Sequence, residues 1–135
     1  MTPTTQTLDT AFPPVAPGVI PLGNRILVQI RSPKEVTKGG IILHTQVRED
    51  EMWNEMTAKV IALGPLAFKN RETMQPWPEG DWCKVGQYVR VPKWGGDQIQ
   101  IGTIESPDHA LFKIFNDHEV IALVEGNPLD FKTYF

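Results

Sequence analysis

The stretch RILVQIR, residues 25 to 31, decides the fold of this chain. In an extended backbone its residues Ile26, Val28 and Ile30 share one face, because successive side chains of a strand point to opposite sides. This alternation predicts a β-strand. Five further short apolar runs follow, at residues 58–63, 88–91, 98–101, 111–115 and 120–124.

Proline and glycine separate these runs and argue against helices. The chain has twelve prolines and eleven glycines, and no segment offers a long uninterrupted helical period. Gly64-Pro65 ends the second run, Pro92 ends the third, and Gly95-Gly96 precedes the fourth. Short strands joined by frequent turns predict an all-β protein, a small antiparallel β-barrel or sandwich.

Composition limits the classes of protein to which the chain can belong. Its 135 residues are enough for one domain with a sizeable core. The net charge is -3, and the thirteen Lys and Arg are scattered, which argues against a nucleic-acid surface. No apolar run approaches the about 20 residues that cross a membrane. The N-terminus has no signal-peptide pattern, and a single cysteine favours a reducing cytoplasm.

The histidines and the cysteine predict neither a metal site nor a nucleophile. His44, His109 and His118 form no close pair of the kind that binds zinc, so they are interpreted as surface or turn residues. Cys83 has no neighbouring histidine and is interpreted as a semi-buried thiol. The sequence therefore predicts no metal ligands.

Other motifs typical of enzymes are missing as well. Asp108 and Asp117 lie in predicted turns, where Asp commonly accepts from its own backbone, and they are not paired as acid and base. Gly39-Gly40 and Gly95-Gly96 match neither a P-loop nor a dinucleotide fingerprint. We expect no catalytic residues and no cofactor.

Two further features leave alternatives open. The tryptophans either cap the ends of the barrel or contribute to subunit contacts; they are Trp53, Trp77, Trp82 and Trp94. The aliphatic run Ile41-Ile42-Leu43 follows two glycines in a polar neighbourhood. It is either a short buried strand or an exposed apolar hook for another protein.

The order of five motifs resembles the GroES-type co-chaperonins, the chaperonin-10 family. PLGNRILV resembles the family's opening PLGDRVLV, and GGIIL matches the hook of its mobile loop. KVIALGP, KVGQYV and HEVIALV resemble three later family segments. In this chain the motifs are residues 21–28, 39–43, 59–65, 84–89 and 118–124.

The resemblance implies a distorted antiparallel β-barrel over residues 21–125, without catalytic activity. Family members form a seven-membered ring that caps a GroEL-like chaperonin and assists ATP-dependent folding. Residues 32–56 correspond to the mobile loop, and residues 64–82 to the roof over the folding chamber. The implied partner-binding residues, which would contact the chaperonin apical domain, are Gly39, Gly40, Ile41, Ile42 and Leu43.

The resemblance also implies how the ring closes. Family rings are closed by the first and last strands of neighbouring subunits, which would be residues 25–30 and 120–124 here. Residues 1–20, rich in Thr and Pro, are predicted to form an extended arm without a core of its own, and residues 126–135 a tail. These extensions are most similar to bacteriophage-encoded family members, which act in the host cytoplasm.

A second hypothesis assigns the barrel to a virion. In that case the protein would be a capsid decoration or connector subunit. Its arm, tail and apolar hook would then all be contacts with capsid proteins.

Overall fold

A computed structural model describes residues 7–32, 55–102 and 109–131 of the chain. These residues contain one short helix, six strands and two 3₁₀ turns. The helix is α1 (Leu8–Ala11), and the strands are β1 (Arg25–Ile30), β2 (Thr57–Leu63), β3 (Tyr88–Arg90), β4 (Asp97–Ile101), β5 (Ala110–Asn116) and β6 (Ala122–Val124). The 3₁₀ turns are Asp117–Glu119 and Pro128–Asp130. The predicted all-β class is confirmed.

All six strands belong to one antiparallel sheet in the order β4-β5-β1-β2-β3-β6. The central strand β1 pairs with β5 along its whole length, from Arg25 opposite Asn116 to Ile30 opposite Leu111. On its other edge β1 pairs with β2, with an irregularity in register between Leu27 and Val28. Each strand lies at its predicted place within two residues.

The main core lies against the face of the sheet that the alternation in β1 predicts. Ile26, Val28 and Ile30 are all fully buried there. Burial of side chains of this size contributes about 1.5–3 kcal/mol each. They belong to one cluster with residues of β2, β3, β5 and the segment after β2, including Val60, Phe68, Val89, Leu111 and Phe115.

The opposite face of β1 is buried as well. Leu27 and Phe112 are fully buried in a second cluster, against which Val15 of the N-terminal arm packs. The central strand is therefore covered on both faces, and only Arg25 among its six residues is exposed. This accounts for the nearly continuous apolar run in its sequence, since a strand buried on both sides needs little polar surface.

The N-terminal arm differs from its prediction. Residues predicted to be extended instead form the helix α1 (Leu8–Ala11). Thr7 and Thr10 close a capping box: the Thr10 N–H donates to Thr7 Oγ1 at 3.3 Å, and the Thr7 N–H donates to Thr10 Oγ1 at 2.9 Å. The reciprocal pair satisfies two amide donors that a helix start otherwise leaves unpaired. It stabilises the start of this single helical turn.

The arm is held against the barrel by contacts that follow α1. Phe12 is buried, and its ring centroid lies 5.1 Å from that of Tyr88 on β3. The buried Gln29 side chain donates from Nε2 to the Pro13 carbonyl at 2.8 Å. The arm therefore has no separate core but completes the second face of the sheet.

Lys113 is the least expected buried residue. It lies on β5 between Leu111 and Phe115 of the main core and is fully buried. Its Nζ donates to the Lys93 carbonyl at 2.9 Å. Burial lowers the pKa of Lys113 below its ordinary value of 10.5, because removal from water disfavours the charged form.

We expect Lys113→Met to raise the free energy of unfolding by about 1–3 kcal/mol at pH 7, since it removes a buried charge. The pKa of Lys113 is lower in the folded state than in the unfolded state. The cost of burying the charged ammonium therefore applies at pH values below the folded-state pKa. As the pH rises toward 10.5 the folded state loses its proton first, and the wild type gains stability. The stability advantage of Lys113→Met over the wild type, measured by urea unfolding, should therefore shrink between pH 7 and pH 10.5. The exposed Lys84→Met is the control, and a constant difference across this range would contradict the expectation.

Candidate partner-binding site

The five residues implied to bind a partner, Gly39 to Leu43, lie outside the described residues. The structure places the two ends of the segment that carries them. Ser32 follows β1 and Glu55 precedes β2, and these strands are direct neighbours with Ile30 opposite Ala58. Residues 33–54 therefore leave and re-enter the barrel at one place.

We call this place the loop root and define it as Arg31, Ser32, Glu55, Met56 and Thr57. The Arg31 N–H donates to the Thr57 carbonyl at 3.0 Å, which extends the β1–β2 pairing by one hydrogen bond. The Glu55 carboxylate accepts from the N–H groups of Met56 at 3.1 Å and Thr57 at 3.0 Å. The Val91 N–H donates to the Met56 carbonyl at 2.8 Å. Both ends of the segment are thus fixed by backbone hydrogen bonds.

Side chains and the arm reinforce the loop root. Arg90 of β3 donates from Nη1 to Thr57 Oγ1 at 2.7 Å, and this nitrogen lies 4.0 Å from a Glu55 carboxylate oxygen. On the other side the Ser32 N–H donates to the Ala11 carbonyl of α1 at 2.7 Å. Elements far apart in sequence therefore meet at this position.

The predicted roof segment, residues 64–82, is attached to the barrel by aromatic packing. Phe68 is fully buried, and its ring centroid lies 5.5 Å from Trp77 and 6.2 Å from Trp82. Trp77 and Trp82 pack against the main core, as expected for residues that cap a barrel. Trp94 is 77% exposed beside β4, and Trp53 lies outside the described residues.

A buried carboxylate ties this segment to the rest of the sheet. Asp117 is 2% exposed and accepts from the Phe68 N–H at 2.9 Å and from the His118 N–H at 2.8 Å. The Asn24 side-chain amide donates to the same carboxylate at 3.5 Å. The prediction that Asp117 bonds its own backbone turn is confirmed, and its contact with the roof segment is an addition to it.

Apolar side chains are exposed near the last strand and before the first. Ile121 and Leu123 are 57% and 42% exposed, and Ile20 and Leu22 are 81% and 68% exposed. A groove of about 480 Å³ runs beside β6. It is lined by Glu79, Asp81, Trp82, His118 and residues 120–123. Ile121 and Leu123 both line this groove, so this end of the sheet presents apolar side chains to solvent.

The expected use of β1 in closing a ring is wrong. Both edges of β1 are hydrogen-bonded within the chain, to β5 and to β2. No backbone groups of this strand remain for a neighbouring subunit. Among the described strands, β4 and β6 are the ones with an open edge.

The cysteine and two of the three histidines lie within the described residues. Cys83 is buried, and burial, with a smaller effect from Asp81, raises the pKa of its thiol to about 11, so it is protonated at neutral pH. His118 is exposed on a turn as predicted, whereas His109 is buried, and His44 lies outside the described residues. Over residues 7–32, 55–102 and 109–131, no group of three or more acidic, His or Cys side chains is placed to hold a metal ion. No helix in these ranges is long and apolar enough to span a membrane.

Three structurally important residues escape sequence analysis. Arg31 follows β1 and Arg90 ends β3, and in sequence each looks like an ordinary solvated charge. Asp117 looks like a turn residue, with no sign of its link to Phe68. Their partners are distant in sequence, and without covarying positions no local pattern identifies them.

Comparison with known proteins identifies the class. The family model of the chaperonin 10 kDa subunit matches residues 18–124. The co-chaperonin GroES of Methylacidiphilum infernorum is 32% identical over 112 residues, which cover 83% of this chain and 99% of that protein. The GroES of Caldicellulosiruptor saccharolyticus is 31% identical over 78% of this chain and 95% of its own. A mitochondrial 10 kDa heat shock protein of Oryzias latipes is 33% identical over 70% of this chain and 84% of its own length.

These matches, with the six-stranded antiparallel sheet, define a co-chaperonin. The chain belongs to the chaperonin 10 kDa subunit family. A structural role in a virion finds no support among the relatives.

Proposed function

We propose that this co-chaperonin is a ring-shaped lid that binds a GroEL-like chaperonin through Ile41, Ile42 and Leu43. The observation that carries the proposal is the loop root, which delivers both ends of residues 33–54 to one anchored position. The GGIIL motif within this segment matches the family's hook. Gly39 and Gly40 permit the backbone to turn as the aliphatic residues bind.

Energetics favour many weak contacts over a single strong one. Burial of three aliphatic side chains yields at most about 1.5–3 kcal/mol each. Ordering the surrounding residues costs about 1–2 kcal/mol each. One hook therefore binds weakly, and repetition around a ring supplies affinity because later contacts become intramolecular. Weak individual contacts also allow the lid to leave.

We infer that the chain forms a homo-oligomer, with seven subunits by family resemblance. The open edge of β6 and the exposed Ile121 and Leu123 support a contact there. Ile20 and Leu22 supply matching apolar surface in an extended segment next to β1. This segment replaces β1 as the partner of the last strand, because β1 itself has no free edge.

We expect Ile121→Asp to weaken self-association by at least about a hundredfold, because it buries an unpaired charge in the contact. The side chain is 57% exposed in the single subunit, so the fold should remain intact. Sedimentation velocity over a range of concentrations measures the effect, with circular dichroism as the check on folding. Val85→Asp changes a residue of similar exposure outside this surface and should leave the oligomer unchanged. An Ile121→Asp protein that assembles like the wild type would refute the contact.

The function is tested by mixing the purified protein with a bacterial chaperonin, with and without nucleotide. Co-sedimentation that depends on nucleotide, together with a slower chaperonin ATPase, is the expected result. Regular oligomers that bind none of several chaperonins would contradict the proposed lid.

We further propose that this protein is a bacteriophage-encoded co-chaperonin that acts in a host cytoplasm. This proposal is supported by the arm and the tail outside the family core and by the tryptophans of the roof segment. Trapping of the complex from infected cells, with the host chaperonin as the expected partner, would test it.

A further inference from the structure

A buried arginine at the loop root is held by the C-terminal tail. Arg31 is 4% exposed. Its Nη1 donates to the carbonyl of Phe131 at 2.7 Å and to that of Pro128 at 3.4 Å, and its Nη2 donates to the carbonyl of Leu129 at 3.1 Å. A planar guanidinium can serve three carbonyls in this way because its donors fan out from one rigid group.

The tail has its own local order, which presents these carbonyls. The Asn127 side chain accepts from the Leu129 N–H at 3.0 Å and caps the 3₁₀ turn Pro128–Asp130. Pro128 is buried at the first position of that turn, where its fixed backbone angle fits. The turn brings the carbonyls of Pro128, Leu129 and Phe131 toward Arg31.

A second contact joins the tail to the other side of the loop root. The Arg90 guanidinium carbon lies 5.4 Å from the centroid of the Phe131 ring, a cation–π arrangement. Arg90 also donates to Thr57 and lies beside Glu55. The tail therefore contacts the segment through Arg31 where it leaves the barrel and through Arg90 where it returns.

We propose that residues 127–131 are a brace that fixes the loop root and thereby raises the affinity of the lid for its chaperonin. The inference rests on the proposed function and adds to it a part of the chain outside the residues that match the family model, which end at 124. A fixed root means that less backbone must be ordered when residues 33–54 bind, because conformational freedom lost in advance is not lost on binding. The tail would act without touching the chaperonin.

The test compares a chain ending at Gly126, which lacks the brace, with a chain ending at Lys132, which keeps it. Hydrogen exchange at the amides of Arg31 and Ser32 should be at least about tenfold faster in the shorter chain and unchanged in the longer one. Affinity for a bacterial chaperonin, measured by inhibition of its ATPase, should fall by at least about tenfold, because the ordering cost of roughly one residue is added in every subunit. Both chains keep β6, so the oligomer should persist.

Arg31→Lys provides a second variant in case the shorter chain folds poorly. It keeps the charge, but an ammonium cannot span three carbonyls, so the same two quantities should change in the same direction by about threefold or more. Unchanged exchange in both variants would overturn the brace. Faster hydrogen exchange at the loop root with an unchanged affinity for the chaperonin would show that the brace does not affect binding.

Chaperonin binding by the full-length chain tests the proposed function, on which this inference rests, separately from the brace. If this chain binds no chaperonin, the proposed function fails and the effect on affinity fails with it. Exchange at the loop root would still be measurable, so a failed brace and a failed function give different results.

Discussion

Ile42→Asp should abolish chaperonin binding and leave the unfolding of the barrel unchanged. The substitution places a charge where an apolar groove would receive an aliphatic side chain, and an unpaired buried carboxylate costs several kcal/mol. Every subunit of an oligomer carries the change, so the loss multiplies and affinity should fall by well over about a hundredfold. Co-sedimentation and ATPase inhibition measure binding, and thermal unfolding measures the barrel.

Two control variants distinguish a loss of binding from a loss of stability. Ile42→Val keeps an aliphatic side chain and should retain binding. Val60→Asp puts the same charge into the fully buried face of β2 and should cost about 3–5 kcal/mol of stability. If Ile42→Asp destabilised the protein as much as Val60→Asp, residues 41–43 would be a buried strand, the alternative that the sequence pattern leaves open.

Phe68→Ala should lower the free energy of unfolding by about 3–5 kcal/mol. The ring is fully buried between the main core and the two tryptophans Trp77 and Trp82, so truncation leaves a cavity. Phe68 has a φ of 60°, a left-handed conformation that its N–H bond to Asp117 helps to hold. Alanine does not relieve this conformation, so the cavity cost is not offset.

Urea unfolding at fixed protein concentration measures the change, because dissociation of an oligomer is linked to unfolding. Phe68→Leu fills part of the space and should cost less than half as much as Phe68→Ala. Met74 also has a φ of 60° but is 55% exposed, so Met74→Ala should stay within about 0.5 kcal/mol. Equal effects of Phe68→Ala and Met74→Ala would contradict the packing of the buried Phe68 ring as the source of the stability.

The strands were predictable because each has a local signature. Alternation in β1 and the turn residues around β3 and β4 are properties of neighbouring positions. The sequence does not show that β1 is buried on both faces, because the covering residue Val15 belongs to an arm that looks unstructured by composition. The helix α1 escaped prediction for a related reason: a single turn held by Thr7 and Thr10 is too short to show a helical period.

The candidate site was predictable in part. The GGIIL segment is found by family resemblance, and its residues remain a prediction because they lie outside the described residues. The loop root depends on distant partners. Arg31 contacts residues nearly a hundred positions later, and Lys113 bonds a carbonyl in another loop, so their surroundings follow from tertiary structure alone. The wrong expectation for ring closure arose because sequence order does not reveal that β1 is central.

The central position of β1 also determines how this co-chaperonin must itself fold. β1 is synthesised before its partner β5, which begins only at Ala110. Until then one edge and both apolar faces of the strand lack their final cover, which invites aggregation. Pairings so distant in sequence also form slowly. The apolar faces of β1 therefore stay incompletely covered until synthesis reaches β5.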